Sequence, residues 1–160
     1  MKKWFVIGMA AVLILSAVCF IYFYNEIRKP LVSGYEQALA FAHEEQLITE
    51  VEDIDYYHGT DTYFVLTGLD EDGDPAYAWI KDDYESYHVE KREDGISVDA
   101  ALSIVEADYG TKEIIEARLG FERNVPAYEV LFIDDEDRQS YYYVTFDDGT
   151  FMKRYHLNRD

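Results

Sequence analysis

Hydrophobic and polar positions divide the chain into one long apolar run and a longer part where the two kinds of residue alternate. No charged residue interrupts residues 4–24. At about 1.5 Å per residue, this run would form a helix roughly as long as a bilayer core is thick. Trp4 and Tyr24 close its two ends, and aromatic side chains favour membrane interfaces. The pattern predicts a transmembrane helix at residues 4–24, with Trp4 and Tyr24 as its edges.

A cleaved signal peptide is the alternative for this run. The apolar stretch of a signal peptide is usually about 7–15 residues long and ends in a small-x-small site. Residues 4–24 are longer and end in aromatic residues. Cys19 lies inside the run behind the large Val18, which disfavours a lipid-attachment signal. An uncleaved anchor is therefore the preferred interpretation.

Charges beside the run predict its orientation. Lys2 and Lys3 precede it, whereas the chain that follows becomes strongly acidic. Short loops rich in lysine and arginine tend to stay on the cytoplasmic side. We expect the N-terminus inside, a single pass through the cytoplasmic membrane, and the rest of the protein on the extracellular face.

A first helix-plus-sheet unit is predicted after Pro30, which we expect to end the first helical segment. Ser33 and Glu36 have the spacing of a capping box, so a new helix should begin there. Its apolar positions recur at helical spacing as far as Ala42. Four segments with strand-like alternation follow: 51–58, 62–69, 76–80 and 86–92.

The same pattern then restarts. Ser97 is the expected N-cap of a second helix, and Gly110 its expected left-handed C-terminal cap. Four further strands are predicted at 113–121, 127–133, 139–146 and 150–156.

Alignment of the two halves suggests an internal repeat. Leu39 matches Leu102 at an offset of 63, and Tyr63 and Tyr77 match Tyr128 and Tyr142 at an offset of 65. The prediction is an α+β protein with two tandem units, each one helix packed on an antiparallel meander. We divide the chain into three parts that contain, in order, the anchor and the two α+β units: 1–29, 30–94 and 95–160.

Composition excludes several functions. The formal net charge of −19 disfavours nucleic acid and anionic headgroups as partners. Cys19, inside the apolar run, is the one cysteine of the chain, so no disulfide framework is possible.

One acidic stretch resembles a calcium loop. Asp70, Asp72 and Asp74 occupy loop positions 1, 3 and 5, but Pro75 stands where the loop needs glycine, and Lys81 where it needs glutamate. The stretch is better interpreted as a turn between two strands, and no metal ligands are predicted.

No catalytic or cofactor-binding residues are predicted either. The sequence has no glycine-rich phosphate loop, and Ser33 and Ser97 are explained as helix caps. The four histidines are isolated from one another and from cysteine: His43, His58, His88 and His156.

Two tyrosines are the candidate interaction surface. In strand 139–146, Tyr141 and Tyr143 share one face, and the matching strand of the first half carries Ala76 and Ala78 there. Exposed aromatic residues are common at protein interfaces. The alternative is that both tyrosines pack against the other unit or the linker.

The second half resembles the PepSY domain through "ISVDAALSIVEADYG", "PAYEVLFI" and "YYYVTFDDGT", the last of which carries the altered turn Asp147-Asp148-Gly149-Thr150. With its single N-terminal span, the whole chain resembles the TseB (YpmB) family of membrane-anchored cell-wall elongation regulators. The resemblance implies two cystatin-like α+β units, no catalytic residues, no cofactor, and an elongation-specific transpeptidase (a class B penicillin-binding protein) as partner. A wall-polymer (peptidoglycan) binding module and a PepSY-type protease regulator remain the alternatives, with an enzyme third.

Overall fold

The computed structural model describes the backbone of residues 2–158; the side chains at 1–8, 10–12, 25–32 and 159–160 lie outside the described part. The chain divides into two compact parts, residues 1–37 and residues 38–160, and the second part contains both sheets. The helices and strands are α1 (Lys2–Glu44), β1 (Glu50–His58), β2 (Thr62–Leu69), β3 (Pro75–Lys81), β4 (Tyr87–Lys91), α2 (Val98–Asp108), β5 (Thr111–Glu122), β6 (Val125–Asp134), β7 (Gln139–Thr145) and β8 (Phe151–Leu157), with a 3₁₀ turn at Arg92–Asp94.

Helix α1 is continuous from Lys2 to Glu44. The expectation that Pro30 ends one helix and Ser33 begins another is therefore wrong. A proline lacks the backbone N–H and disturbs the turn before it, but this effect is local. The hydrogen-bonded ladder resumes beyond it, so a helix boundary does not follow from the proline alone.

Among the described residues, no helix is both long enough and apolar enough to cross a membrane. Trp4 lies outside the described side chains, and Tyr24 is 50% exposed. The span at residues 4–24 stays a prediction.

The first sheet has the order β1-β2-β3-β4, with every neighbouring pair antiparallel. All four predicted strands are confirmed to within two residues at each end. Leu66 on β2 and both Ala76 and Ala78 on β3 are fully buried. The expectation that the two alanines face outward is wrong, because both faces of β3 are covered.

The second sheet has the order β5-β6-β7-β8, again antiparallel throughout. Helix α2 packs on it through Ala101 and Val105, which contact a cluster of apolar side chains on β6 and β7. The predicted cap is confirmed, because the Ser97 hydroxyl accepts a hydrogen bond from the Ala100 N–H at 3.2 Å.

Gly110 does not form the predicted left-handed cap. The helix ends at Asp108, Tyr109 after it is the C-cap in an extended conformation, and Gly110 has no positive φ. A Cβ atom at Gly110 would lie 2.0 Å from Oδ2 of Asp135. The glycine is explained by this close approach and not by the turn of the backbone.

The two sheets share the same topology, as the internal repeat predicts. The predicted alignment of the second half on the first, however, is wrong by one residue at the second hairpin. Leu66 pairs with Ala78 and Val130 pairs with Tyr142, so the two hairpins match at an offset of 64. A slip of one residue exchanges the two faces of a strand. Tyr63 and Tyr128 are therefore not equivalent.

The two sheets share an aromatic core. Trp79 of β3 is fully buried and lies 6.1 Å from Phe121 of β5 between ring centroids. The rings of Tyr77 and Phe146 pack edge-on with their centroids 5.7 Å apart, and Phe146 is the residue directly after β7. Because these rings interlock, the face of the first sheet that carries Tyr77 and Trp79 packs against the second α+β unit.

Candidate interaction surface and buried polar cluster

Tyr143, one of the two predicted surface tyrosines, is only 2% exposed. Its hydroxyl donates a hydrogen bond to Glu129 and lies 3.0 Å from the Tyr155 hydroxyl. The Lys153 ammonium lies 4.2 Å from the centre of its ring. The expected exposure of Tyr143 is wrong, because side chains of β8 cover it.

Tyr141 lies at a half-buried position on the same face. Its ring stacks on that of Tyr155 with centroids 4.7 Å apart and planes 17° apart. Tyr155 is 43% exposed, and Leu157 beyond it is 53% exposed. We call Tyr141, Tyr155 and Leu157 the β8 tyrosine surface.

Sequence reasoning missed Tyr155 and Leu157. Both occupy alternate positions on the last strand, where Tyr155 pairs directly with Tyr141. The alternation of Lys153, Tyr155 and Leu157 was visible in the sequence. Cross-strand pairing, which brings the two tyrosine rings together, depends on the register of two strands and was not visible.

Glu122 is the centre of a buried polar cluster between the two sheets. It is 1% exposed, and its carboxylate accepts hydrogen bonds from the Tyr57 hydroxyl at 2.8 Å and the Lys153 ammonium at 2.7 Å. The Thr60 hydroxyl and backbone N–H also donate to it, at 2.9 and 3.1 Å. Tyr57 and Thr60 belong to the first sheet and its first hairpin, whereas Glu122 and Lys153 belong to the second sheet.

These contacts set the charge of the cluster. Burial by itself would raise the pKa of Glu122, but the hydrogen bonds from Lys153, Tyr57 and Thr60 outweigh it and lower the pKa. Burial, followed by the hydrogen bond to Glu122, raises the pKa of Tyr57 well above its usual range. Glu122 is therefore ionised and Tyr57 is neutral at physiological pH.

Two glycines make room for the cluster. A Cβ atom at Gly59 would lie 2.0 Å from Oε1 of Glu122. One at Gly120 would lie 2.3 Å from the Tyr57 ring. Neither glycine has a positive φ, so the requirement is for space.

Glu129 is the second buried carboxylate of this region. Arg118 donates to its Oε1 through Nε at 3.2 Å and Nη2 at 2.7 Å, while Tyr143 donates to Oε2. Burial lowers the pKa of Arg118, but the hydrogen bond and the charge of Glu129 more than reverse this and raise it. Two guanidinium nitrogens of Arg118 therefore converge on a single oxygen of Glu129, while its other oxygen accepts from Tyr143.

Asp134 organises the β6–β7 turn. Its Oδ1 accepts hydrogen bonds from the backbone N–H groups of Glu136 and Arg138, and its Oδ2 accepts from Ser140. Burial opposes ionisation, but the hydrogen bonds from Arg138 and Ser140 lower the pKa of Asp134 to about 2. Each buried carboxylate described here thus has a structural role, and none is left available as a general acid or base.

The acidic turn of the first unit has the same construction. Asp70 Oδ1 accepts hydrogen bonds from the N–H groups of Asp72 and Asp74 at 3.0 and 2.9 Å. One carboxylate oxygen from each of the three can come within 4.8 Å of the others. The Lys91 ammonium, however, lies 2.5 Å from Asp74 and 3.8 Å from Asp70. A lysine supplies the positive charge at this turn.

Two histidines, the exposed His58 and the half-buried His88, have local partners. His58 Nδ1 lies 2.9 Å from the Thr62 hydroxyl, across the β1–β2 hairpin. His88 Nε2 lies 2.6 Å from Glu90 on the same strand. Neither pair includes a serine, cysteine or second histidine that could form a nucleophilic or metal-binding set.

Family models match both α+β units of the chain. Residues 37–81 match the cell wall elongation regulator TseB-like domain, and residues 95–155 match the peptidase propeptide and YPEB (PepSY) domain. The chain is 31% identical over 144 residues to the "Probable cell wall elongation regulator TseB" of Bacillus subtilis (strain 168), covering 89% of this chain and 87% of the relative.

The chain belongs to the TseB family. The resemblance expected from the sequence is thereby confirmed. A solved structure, the "YpmB protein from Bacillus subtilis", superimposes on this TseB-family chain with a TM-score of 0.74 and 30% identity. The superposition covers 78% of this chain and 98% of that one.

Proposed function

We propose that this TseB-family protein is a non-enzymatic regulator of cell-wall elongation. The observation that carries the proposal is its similarity, over most of both chains, to a probable cell wall elongation regulator. The buried carboxylates agree with a non-enzymatic role, because Glu122, Glu129 and Asp134 are all occupied by hydrogen bonds within the protein.

The partner we propose is an elongation-specific class B penicillin-binding protein, a transpeptidase. In this proposal residues 4–24 cross the cytoplasmic membrane once, with the N-terminus inside and the α+β units outside. Support for the anchor comes from the uncharged run and the lysines that precede it. Such a tether would hold the regulator in the same membrane as its partner and raise the local concentration of each near the other.

The β8 tyrosine surface is the proposed contact with the transpeptidase. It combines the stacked rings of Tyr141 and Tyr155 with the exposed Leu157. Strand β8 is also an edge of its sheet, paired with β7 on one side. Rigid aromatic side chains at a sheet edge are suited to protein contacts, since they bury a large area at small entropic cost.

A crosslinking pull-down tests this proposal. Full-length protein, crosslinked in membranes and purified, should recover a class B penicillin-binding protein. Tyr155→Ala should lower that recovery about tenfold, the loss typical of an aromatic interface residue. Tyr87→Ala removes a tyrosine of similar exposure (48%) from β4 and is the matched control. Recovery of no cell-wall enzyme with the unaltered protein would refute the proposal.

Wall-glycan binding is a second candidate. The exposed Tyr155, stacked on the half-buried Tyr141, favours it, because sugar rings pack on aromatic side chains of this kind. Sedimentation with purified sacculi tests it: the unaltered protein should sediment and Tyr155→Ala should stay in solution. The net charge of −19 argues against the anionic wall polymers as ligands.

Protease regulation is a third candidate, supported by the family model at residues 95–155, whose description includes peptidase propeptides. Inhibition assays against envelope proteases would decide it.

A further inference from the structure

A groove of about 680 Å³ opens where the end of the first sheet meets two turns of the second unit. The first unit contributes Glu90 on β4 and Asp94 in the 3₁₀ turn. The second contributes Val125 at the start of β6, with Asp147, Asp148 and Thr150 in the β7–β8 turn. The volume falls in the range of pockets that hold ligands.

Backbone hydrogen bonds hold the walls of this groove in place. The Phe146 N–H donates to the Pro126 carbonyl at 2.9 Å, and the Ile96 N–H donates to the Phe146 carbonyl at 2.8 Å. Asp148 Oδ1 accepts from the Thr150 N–H at 2.9 Å, which fixes the β7–β8 turn. Because the groove is preformed, little ordering is needed when a ligand binds.

Charge and apolar surface in the groove have a definite arrangement. Among the described residues, its lining includes four carboxylates and no lysine, arginine or histidine. Val125, at 39% exposure, adds apolar surface to the lining. Lysine and arginine side chains lay their apolar stems along such surfaces and keep the charged end at a polar rim. Electrostatic complementarity therefore favours a cationic ligand with apolar parts.

The spacing of the carboxylates distinguishes a peptide from a metal ion. Across the described part of the chain, three acidic side chains converge within 4.8 Å at Asp70, Asp72 and Asp74, and no groove carboxylate belongs to such a set. Charges spread along a groove match several separate cations better than one ion.

We propose that this groove binds an extended, lysine- or arginine-rich segment of a protein partner. The inference rests on the proposed role as an interaction module, and it adds a second contact, separate from the β8 tyrosine surface. Asp94 and Asp147 are the proposed contacts for the basic groups, since both are exposed and neither is engaged with another described residue. The groove exists only when the two α+β units are packed together.

Fluorescence anisotropy of a labelled short peptide of alternating lysine and valine, titrated with the full-length protein in detergent micelles, tests this inference. The double variant Asp94→Asn, Asp147→Asn should weaken binding at least about fivefold, as expected for the loss of two charged contacts. The double variant Glu71→Gln, Glu106→Gln removes the same charge from exposed positions outside the groove and should bind like the unaltered protein.

Four results would overturn the proposal. The first is that both double variants weaken binding equally, which would indicate attraction to the overall charge. The second is that the lysine peptide does not bind. The third is that a peptide of alternating glutamate and valine binds equally well. The fourth is displacement of the lysine peptide by micromolar calcium, which would indicate a metal site. Because no transpeptidase is present, failure here is distinguishable from failure of the pull-down.

Discussion

The hydroxyl of Tyr57 in the first sheet donates a hydrogen bond to the carboxylate of Glu122 in the second, 2.8 Å away. Lys153 holds the same carboxylate from its other side at 2.7 Å. A buried charge that is fully hydrogen-bonded across an interface restricts how the two surfaces can pack. The proposed partner would therefore meet two α+β units with a fixed relation to each other.

Glu122→Gln should destabilise the protein by about 2–3 kcal/mol, because the substitution keeps the shape but leaves Lys153 beside a buried neutral group. The measurement is the urea unfolding midpoint. Glu52→Gln, which breaks the exposed ion pair with Arg92, should leave the midpoint nearly unchanged and is the control. Equal midpoints for the two variants would mean that the Glu122 cluster contributes nothing.

Tyr57→Phe should cost about 1–2 kcal/mol, because it removes one of the donors to a buried carboxylate and preserves the ring. The half-buried neighbour Tyr56 provides a matched control, since Tyr56→Phe removes a hydroxyl with no hydrogen bond to another described side chain. Thermal unfolding followed by circular dichroism compares them. A Tyr57→Phe protein as stable as Tyr56→Phe would show that the remaining donors are sufficient for Glu122.

Stability should fall in acid as Asp134 is protonated. A carboxyl whose pKa is depressed on folding stabilises the protein above its unfolded pKa, and this contribution is lost as pH falls through the folded pKa. For Asp134 the window runs from 3.8 down to about 2. Asp134→Asn should reduce the loss of stability in that window, because protonation of Asp134 no longer contributes to it, whereas Asp72→Asn should retain the full loss. Urea titrations across the window measure it, and an unchanged pH profile for Asp134→Asn would contradict this account.

Gly120→Ala should destabilise the protein by about 1–3 kcal/mol, the usual cost of overpacking a core. The new methyl group would lie 2.3 Å from the Tyr57 ring. Gly73→Asn is a useful comparison, because Gly73 faces open space and its φ of 82° is one that asparagine tolerates. The unfolding midpoints should therefore rank the Gly73 variant above the Gly120 variant, and the reverse order would show that Tyr57 can move aside.

Turn and cap residues explain which parts of the fold were predictable. The Ser97 cap and the eight strands follow from short-range patterns. An N-cap side chain bonds a backbone N–H only two or three residues later, and a strand shows alternation with a period of two. The predictions at Pro30 and Gly110 were wrong for the same reason. Each residue type is compatible with several local conformations, and the neighbouring structure selects among them.

The sequence did not correctly predict which residues of the two halves are structurally equivalent. Asp70 and Asp134 have the same role in their turns, accepting hydrogen bonds from the backbone N–H groups two and four residues later. Matching tyrosines along the sequence gave an offset one residue too large. The register follows instead from cross-strand hydrogen bonding, which pairs residues far apart in the chain.

By itself, the sequence determined the order of the elements, the α+β class, the repeat and the family, because these depend on local periodicity and on motifs. Tertiary structure alone decided which surfaces are exposed. Tyr143 and Tyr155 both lie on strands with alternating polar and apolar residues. Tyr143 is nevertheless buried against Glu129, whereas Tyr155 is exposed. Side chains of the neighbouring strand β8 cover Tyr143 and make that difference. Packing of the two sheets, in turn, buries Glu122 beneath Tyr57. Burial depends on contacts between residues distant in sequence, so no local pattern could determine it.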